Sequence, residues 1–271
     1  MAYTVAMAEI PLGKVSGYPE KYAPDVLFPI ARAANREALG LTASLPFSGT
    51  DLWTAWELTW LQDSGKPAMA AAEIRVPADS PNIIESKSLK LYLNSFAMTR
   101  IGDEAELVRT IETDLSERAE APVTVGLIRE SGVAGLPGRS LDELDVTLDT
   151  YDVNPGLLAS AGGESVSETW NSALLRSLCP VTSQPDFGSV MVRYEGPRIE
   201  PVSLLAYIVS FREHQDFHEA CIERMFVDLL ERTHVDKLTV YARYQRRGGL
   251  DINPYRSNFE ASPPVARIWN Q

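Results

Sequence analysis

The chain contains itself twice. Set against itself at an offset of 115 residues, it matches at 13 of the 42 positions from 84 to 125 without a gap. Ile84-Glu85 faces Ile199-Glu200, Ser88-Leu89 faces Ser203-Leu204, Tyr92 faces Tyr207, and Ser95-Phe96 faces Ser210-Phe211. Farther on, Glu104-Ala105 faces Glu219-Ala220, Arg109 faces Arg224, Leu115 faces Leu230, and Thr124-Val125 faces Thr239-Val240. Ordinary residue usage gives roughly two or three such matches by chance. A duplication of this kind confines the fold to two copies of one supersecondary arrangement.

The arrangement follows from the pattern within each copy. Residues 51–62 are rich in β-branched and aromatic side chains, and Ser64-Gly65-Lys66-Pro67 is a turn signal, so 51–62 and 68–76 are expected as a hairpin. Leu89, Tyr92, Leu93 and Phe96 fall at i, i+3, i+4 and i+7, one face of a helix. Leu107, Ile111 and Leu115 mark a second helix that opens at Asp103-Glu104 and ends before Pro122. Val123, Val125 and Leu127 begin a strand, and Val146 and Leu148 begin another. The second copy repeats this order, with strands near 165–175 and 188–195, helices near 201–213 and 217–233, and a strand at 237–245. Each copy therefore reads ββααββ, an α+β unit. The boundary is expected at Asn154-Pro155-Gly156, giving domains 1–155 and 156–271.

With 271 residues, each domain is long enough to bury its own core. The 37 acidic and 25 basic side chains leave a formal charge of −12. A field of that sign argues against binding nucleic acid or an anionic membrane through the overall charge. No apolar run approaches the roughly 18 residues that a membrane helix needs. The start, Met1 to Glu9, lacks a basic n-region and does not read as a secretory signal. Two cysteines, Cys179 and Cys221, are too few for a disulfide framework. A soluble, reduced, cytoplasmic chain is expected. The glycines of Gly132–Gly138 lack the G-x-G-x-x-G spacing and lead from strand to strand, so a Rossmann dinucleotide site is not supported.

Function tends to lie where one copy departs from the other. At 85–92, ESKSLKLY, the first copy carries Lys87 and Lys90 where the second has Val202 and Leu205. Two cations at a helix start, with its free N–H groups, suit a phosphate, although a capped and solvated helix start is the commoner meaning. At 179–189, Cys179 and Asp186 stand seven apart in a turn-rich stretch. A thiolate can attack and a carboxyl can carry protons, yet a lone cysteine is more often a small buried hydrophobe. His214 and His218 are four apart, but there is no H-E-x-x-H and a break precedes Phe217, so no metal site is expected. The stretch 243–257 is locally basic, with Gly248-Gly249 allowing close approach of the backbone to a ligand or simply forming a turn.

Together these segments resemble the QueF family of nitrile reductases. ESKSLKLY at 85–92 satisfies every position of the family signature E-(S/L)-K-(S/A)-x-K-(L/Y)-(Y/F/W). CPVTSQPDFGS at 179–189 is similar to the family's nucleophile region, and FHE at 217–219 and 241–257 are similar to its later motifs. The likeness runs from about residue 25 to 258 and matches the two-domain branch. The resemblance implies tandem tunnelling-fold (T-fold) domains assembling into a barrel, with a homodimer of tandem chains. It implies reduction of the nitrile of 7-cyano-7-deazaguanine to 7-aminomethyl-7-deazaguanine with two NADPH, through a covalent cysteine thioimide, in queuosine biosynthesis. Cys179 is then the nucleophile, Asp186 the proton donor and His218 the third catalytic group. Ile84, Glu85, Ser86, His218 and Glu219 are expected to bind the deazaguanine, and Ser86, Lys87, Arg247 and Gly248 to contact NADPH. The partners are then two small molecules, with neither metal, nucleic acid nor membrane. A zinc cyclohydrolase of the same fold and a non-catalytic purine binder are the rivals. The first needs a Cys/His metal set and the second leaves Cys179 inert.

Overall fold

The computed structural model describes residues 18, 19, 21–42, 44–128, 134–162, 164–263 and 268. Residues 1–17 and residues 132 and 133 of the Gly132–Gly138 loop, on which two of the expectations above fall, lie outside the described residues. The chain forms two units that trade short segments. The first comprises residues up to Thr42, Asp51–Ser131 and Arg246–Asp251; the second comprises Ala43–Thr50, Gly132–Gln245 and the chain from Ile252 on.

In the first unit, β1 (Pro29–Ala31) leads into the short helix α1 (Ala33–Ala38). The long strand β2 (Ser48–Leu61), whose first three residues belong to the second unit, is followed by β3 (Pro67–Pro77) and β4 (Asn82–Ile84). Then come α2 (Ser86–Ser95), α3 (Glu104–Ala119) and β5 (Thr124–Ile128). β3 lies between β2 and β5, and β4 pairs antiparallel with β1. Every second side chain of β3 is buried, Ala70, Ala72, Ile74 and Val76, as the period of two requires for a sheet with one face inward. On α3 the buried stripe is Leu107, Ile111, Leu115 and Ala119, four residues apart and fully enclosed. Burial of each Leu or Ile in that stripe contributes about 1.5–3 kcal/mol.

The second unit opens with β6 (Arg139–Ser140), which runs parallel to β7 (Val166–Leu178). β8 (Pro185–Gly196) returns antiparallel to β7. α4 (Pro201–Ser210), α5 (His218–Thr233), β9 (Lys237–Tyr244) and β10 (Leu250–Ser257), whose first two residues belong to the first unit, complete it. β9 pairs antiparallel with β8 on one side and β10 on the other. The expected strand at Val146 and Leu148 does not form. Residues 142–150 alternate between half-buried and exposed, but the described chain gives them no ladder partner. Alternation of Val146 and Leu148 with Asp145, Thr147 and Asp149 describes an extended segment, and only paired backbone makes it a strand.

The structure also corrects the register of the repeat. α2 and α4 correspond at an offset of 115, but α3 and α5 correspond at 114 at both ends. The left-handed residues that end them, Glu120 (φ 56°) and His234 (φ 54°), keep the same 114. Burial agrees at the position facing Leu115: Leu229 is fully enclosed whereas Leu230 is half-buried, while Cys221, Ile222, Met225 and Phe226 are all enclosed. A tyrosine–aspartate tie fixes the two helices in both copies, Tyr92 Oη donating to Asp114 at 2.5 Å and Tyr207 Oη to Asp228 at 2.7 Å. The tyrosines differ by 115 and the aspartates by 114, so the lost residue lies in the connection between the helices.

Candidate active site

In the second unit the hairpin β7–β8 sets three side chains on one face. Ser177 opposes Asp186, and Leu178 opposes Pro185. The loop then closes with Cys179 N–H donating to Gln184 O at 2.9 Å and Ser183 N–H donating to Cys179 O at 2.9 Å. Ser183 completes the turn in the left-handed region at φ 55°. Cys179 lies just beyond β7, and because its bond to Gln184 carries the hairpin pairing one residue further, alternation assigns it to the face of Ser177 and Asp186. All three are buried, whereas Phe187 on the opposite face is 48% exposed.

The start of α5 is brought over this face by the chain just before it. Leu178 N–H donates to His214 O, and Asp216 N–H donates to Leu178 O. Gln215 Nε2 donates to Ser183 Oγ at 2.8 Å, tying the same segment to the cysteine loop. His218, the first residue of α5, then sets its Nε2 3.2 Å from Asp186 Oδ2. Its ring stacks on Tyr244 with centroids 3.8 Å apart and planes at 4°. Its Nδ1 is buried without a hydrogen-bond partner among the described residues. Glu219 follows, also buried, at a helix start where the dipole favours a carboxylate. His214 stands before α5, 3.8 Å from Asp216, so the two histidines do not share a helix face. Among the described residues, no group of three or more His, Cys, Asp or Glu side chains is placed to hold a metal ion.

The two cysteines are told apart by their surroundings. Cys221 is fully enclosed in α5, and burial, followed by the charge of Asp216, pushes its thiol well above the ordinary range. It stays protonated and unreactive. Cys179 ends a hairpin at the edge of the buried face, which is the better position for a nucleophile.

In the first unit Glu85 caps α2. Its carboxylate accepts Lys87 N–H at 2.7 Å and Ser88 N–H at 2.8 Å, with Ser86 Oγ at 3.4 Å. Burial raises its pKa, and the two backbone N–H groups work against that rise. Ile84 precedes it, buried at the end of β4. Arg247 and Gly248 lie in the tight turn between β9 and β10. Arg247 N–H donates to Leu250 O and Leu250 N–H to Arg247 O, with Gly248 and Gly249 at φ 55° and 88°. Two successive positive φ values are the demand of a type I′ turn, which glycine meets without strain. The turn approaches Lys90 so closely that a Cβ on Gly248 would stand 2.0 Å from Lys90 Nζ. A cleft of about 180 Å³ lies beside it, lined by Glu57, Lys90, Asn94, Gly248, Gly249 and Leu250. The structure thus groups Glu85, Ser86 and Lys87 at one helix start, and sets Gly248 against Lys90.

Two residues of the buried face were not singled out as site residues by the sequence. Tyr244 and Gly188 both lie within quoted motifs, and they meet only through the pairing of β8 with β9.

A buried thiol and a histidine–carboxylate contact within one unit belong to the class of side chains that enzyme sites draw on. Comparison with known proteins narrows this class. Residues 18–127 match the family model for the nitrile reductase, 7-cyano-7-deazaguanine-reductase N-terminal part, and residues 185–263 match that of QueF-like proteins. The chain is 52% identical over 266 residues to the NADPH-dependent 7-cyano-7-deazaguanine reductase of Bordetella pertussis, covering 96% of this chain and 97% of that protein. It is 53% identical over 260 residues to the protein of the same name from Chromohalobacter salexigens, covering 94% of each. The chain belongs to the QueF nitrile-reductase family. Cys179 lies between the two matched stretches, while Asp186, His218 and Glu219 lie in the second.

Proposed function

We propose that this chain reduces the nitrile of 7-cyano-7-deazaguanine to 7-aminomethyl-7-deazaguanine with NADPH, as the step that supplies the aminomethyl base for queuosine. The observation that carries the reading is the shared buried face of Cys179 and Asp186 with His218 Nε2 3.2 Å from the carboxylate, in a chain 52% identical to reductases of that name.

A nitrile carbon is electrophilic but resists direct hydride transfer. Addition of the Cys179 thiolate forms a C–S bond and leaves a C=N group, the thioimide, splitting one hard step into easier ones. The nitrile nitrogen takes a proton as the sulfur adds, and Asp186 is the donor. The Asp186–His218 contact lets a proton pass between them, so the pair can serve both reductions. Bound NADPH supplies hydride, and two equivalents account for the four electrons between nitrile and amine. After the first reduction the thiolate leaves and an imine remains for the second. Glu219 and Glu85 are the carboxylates proposed for the paired N–H groups of the deazaguanine edge, with Ile84 and Ser86 as further contacts to the base.

The anionic groups of NADPH require cations and close backbone. Ser86 and Lys87 at the start of α2, with Arg247 and Gly248 in the turn, are the proposed contacts. Lys90 standing over Gly248 supports the fit of an anion there. A cleft of about 180 Å³ is smaller than the roughly 300–1,000 Å³ of a whole ligand pocket, so it receives part of the dinucleotide. The duplicated halves, 1–155 and 156–271, are proposed as tandem T-fold domains of a barrel completed in a homodimer in the cytoplasm.

The test is NADPH absorbance loss with and without 7-cyano-7-deazaguanine, quantified against amine formed. Two NADPH per amine, and none consumed by Cys179→Ala, is the expected result. Consumption of NADPH without amine, or unchanged turnover by Cys179→Ala, sinks the reading.

A further inference from the structure

The reductase reading uses His218 as a proton-handling group but leaves open what holds its ring. The contact to Asp186 is a single one, through Nε2, and Nδ1 has no partner among the described residues. One such contact fixes a point on an imidazole and leaves its plane free to swing about the line to the carboxylate. Tyr244 removes that freedom. Its ring lies face to face with the imidazole at 3.8 Å and 4°. The two rings come from different elements, His218 from α5 and Tyr244 from β9, so the backbones that carry them must bring them to this spacing.

The backbone cause can be named. Tyr244 ends β9 directly opposite Gly188 of β8. A Cβ on Gly188 would stand 3.1 Å and 3.3 Å from two ring carbons of Tyr244 and 3.2 Å from Arg243 O. The missing side chain is the space in which the Tyr244 ring lies. Gly188 is two residues from Asp186 on the same strand face, so one hairpin places both the carboxylate and the platform for the ring. Tyr244 is fully buried, and burial together with the nearby Cys221 raises its phenol well above the ordinary range, so it presents a neutral ring.

We infer that Tyr244, admitted by Gly188, is a positioning residue that fixes the plane of the His218 imidazole against Asp186. The inference rests on the reductase reading for its kinetic consequence, but not for its structural one. The chain has only three histidines, so the imidazole signals of His218 are readily assigned by NMR. In the wild-type protein its ring protons should be shifted upfield by the tyrosine face. Tyr244→Phe should keep that shift and keep kcat close to wild type. Tyr244→Leu should lose the shift and lower kcat by about 10²-fold, the scale of an ångström-sized misplacement, with KM for the nitrile little changed. Gly188→Ala should move both readouts in the same direction.

His218 signals without an upfield shift in the wild type would overturn the inference, whether or not any variant folds. So would a Tyr244→Leu protein with wild-type kcat, or one whose loss lies in KM alone. A wild-type protein that does not reduce 7-cyano-7-deazaguanine would overturn the reductase reading instead, and the NMR result would still decide what Tyr244 does.

Discussion

The two copies differ most at their helix starts, and they differ in opposite ways. In the first copy α2 begins with a buried carboxylate, Glu85, that accepts two backbone N–H groups, and α3 begins with an ordinary exposed cap, Asp103, that accepts Glu106 N–H at 2.7 Å. In the second copy the carboxylate facing Glu85, Glu200, is exposed and caps nothing. There it is α5 that begins with buried polar groups, His218 and Glu219, and with no side-chain cap. Each copy has kept one helix start as structure and turned the other over to polar groups taken out of water. Burying such groups costs stability unless they are paired, so a duplicated scaffold tolerates it best where the other copy does not repeat it.

The comparison is broken most sharply by variants at equivalent positions. His218 faces Glu104 across the repeat of α3 and α5. His218→Ala and Asp186→Asn should each lower kcat by about 10²–10⁴-fold, the range for loss of a positioned acid or base. Glu104→Gln, at an exposed helix start, should leave turnover at the wild-type level. Comparable losses at both positions would mean that proton handling is not confined to the second copy as proposed here.

The register of the repeat gives the next largest effect. Leu115→Ala and Leu229→Ala remove fully buried side chains at the same position of α3 and α5, and each should cost about 2–5 kcal/mol in thermal or urea unfolding. Leu230→Ala removes a half-buried neighbour and should cost clearly less. If Leu230 were the costlier position, the ungapped offset of 115 would hold through α5 and the corrected register would fail.

That slip shows what a single sequence conveys and what it hides. The hairpins and both helix pairs are legible because periodicity is a local property, whereas the roles proposed for Cys179, Asp186 and His218 come from the family resemblance. The slip is not. Glu104, Ala105 and Arg109 find identities at 115, while Asp114, Leu115, Glu117 and Arg118 find Asp228, Leu229, Glu231 and Arg232 at 114. Both alignments carry real matches, and only burial and the tyrosine–aspartate ties decide between them. Val146 and Leu148 fail for a related reason, since alternation gives an extended chain but a partner makes the strand. Tyr244 and Gly188 are adjacent only in the cross-strand register, a relation that no spacing along the chain encodes.

The smallest effect separates Glu85 from Glu200. Glu85→Ala leaves Lys87 N–H and Ser88 N–H without their acceptor and should cost about 0.5–2 kcal/mol, whereas Glu200→Ala should cost almost nothing. The same pair differs in pH dependence. Burial raises the folded-state pKa of Glu85 above its ordinary value of 4.5, so in the window just above 4.5 the folded protein holds a proton there that the unfolded chain has lost. Stability therefore falls as pH rises through that window, because the unfolded state binds fewer protons. Glu85→Gln has no such proton to hold and should flatten that part of the stability profile relative to wild type, while Glu200→Gln should leave it as it is. A profile unchanged by Glu85→Gln would mean that the backbone N–H groups cancel the effect of burial, and that Glu85 is a cap like any other.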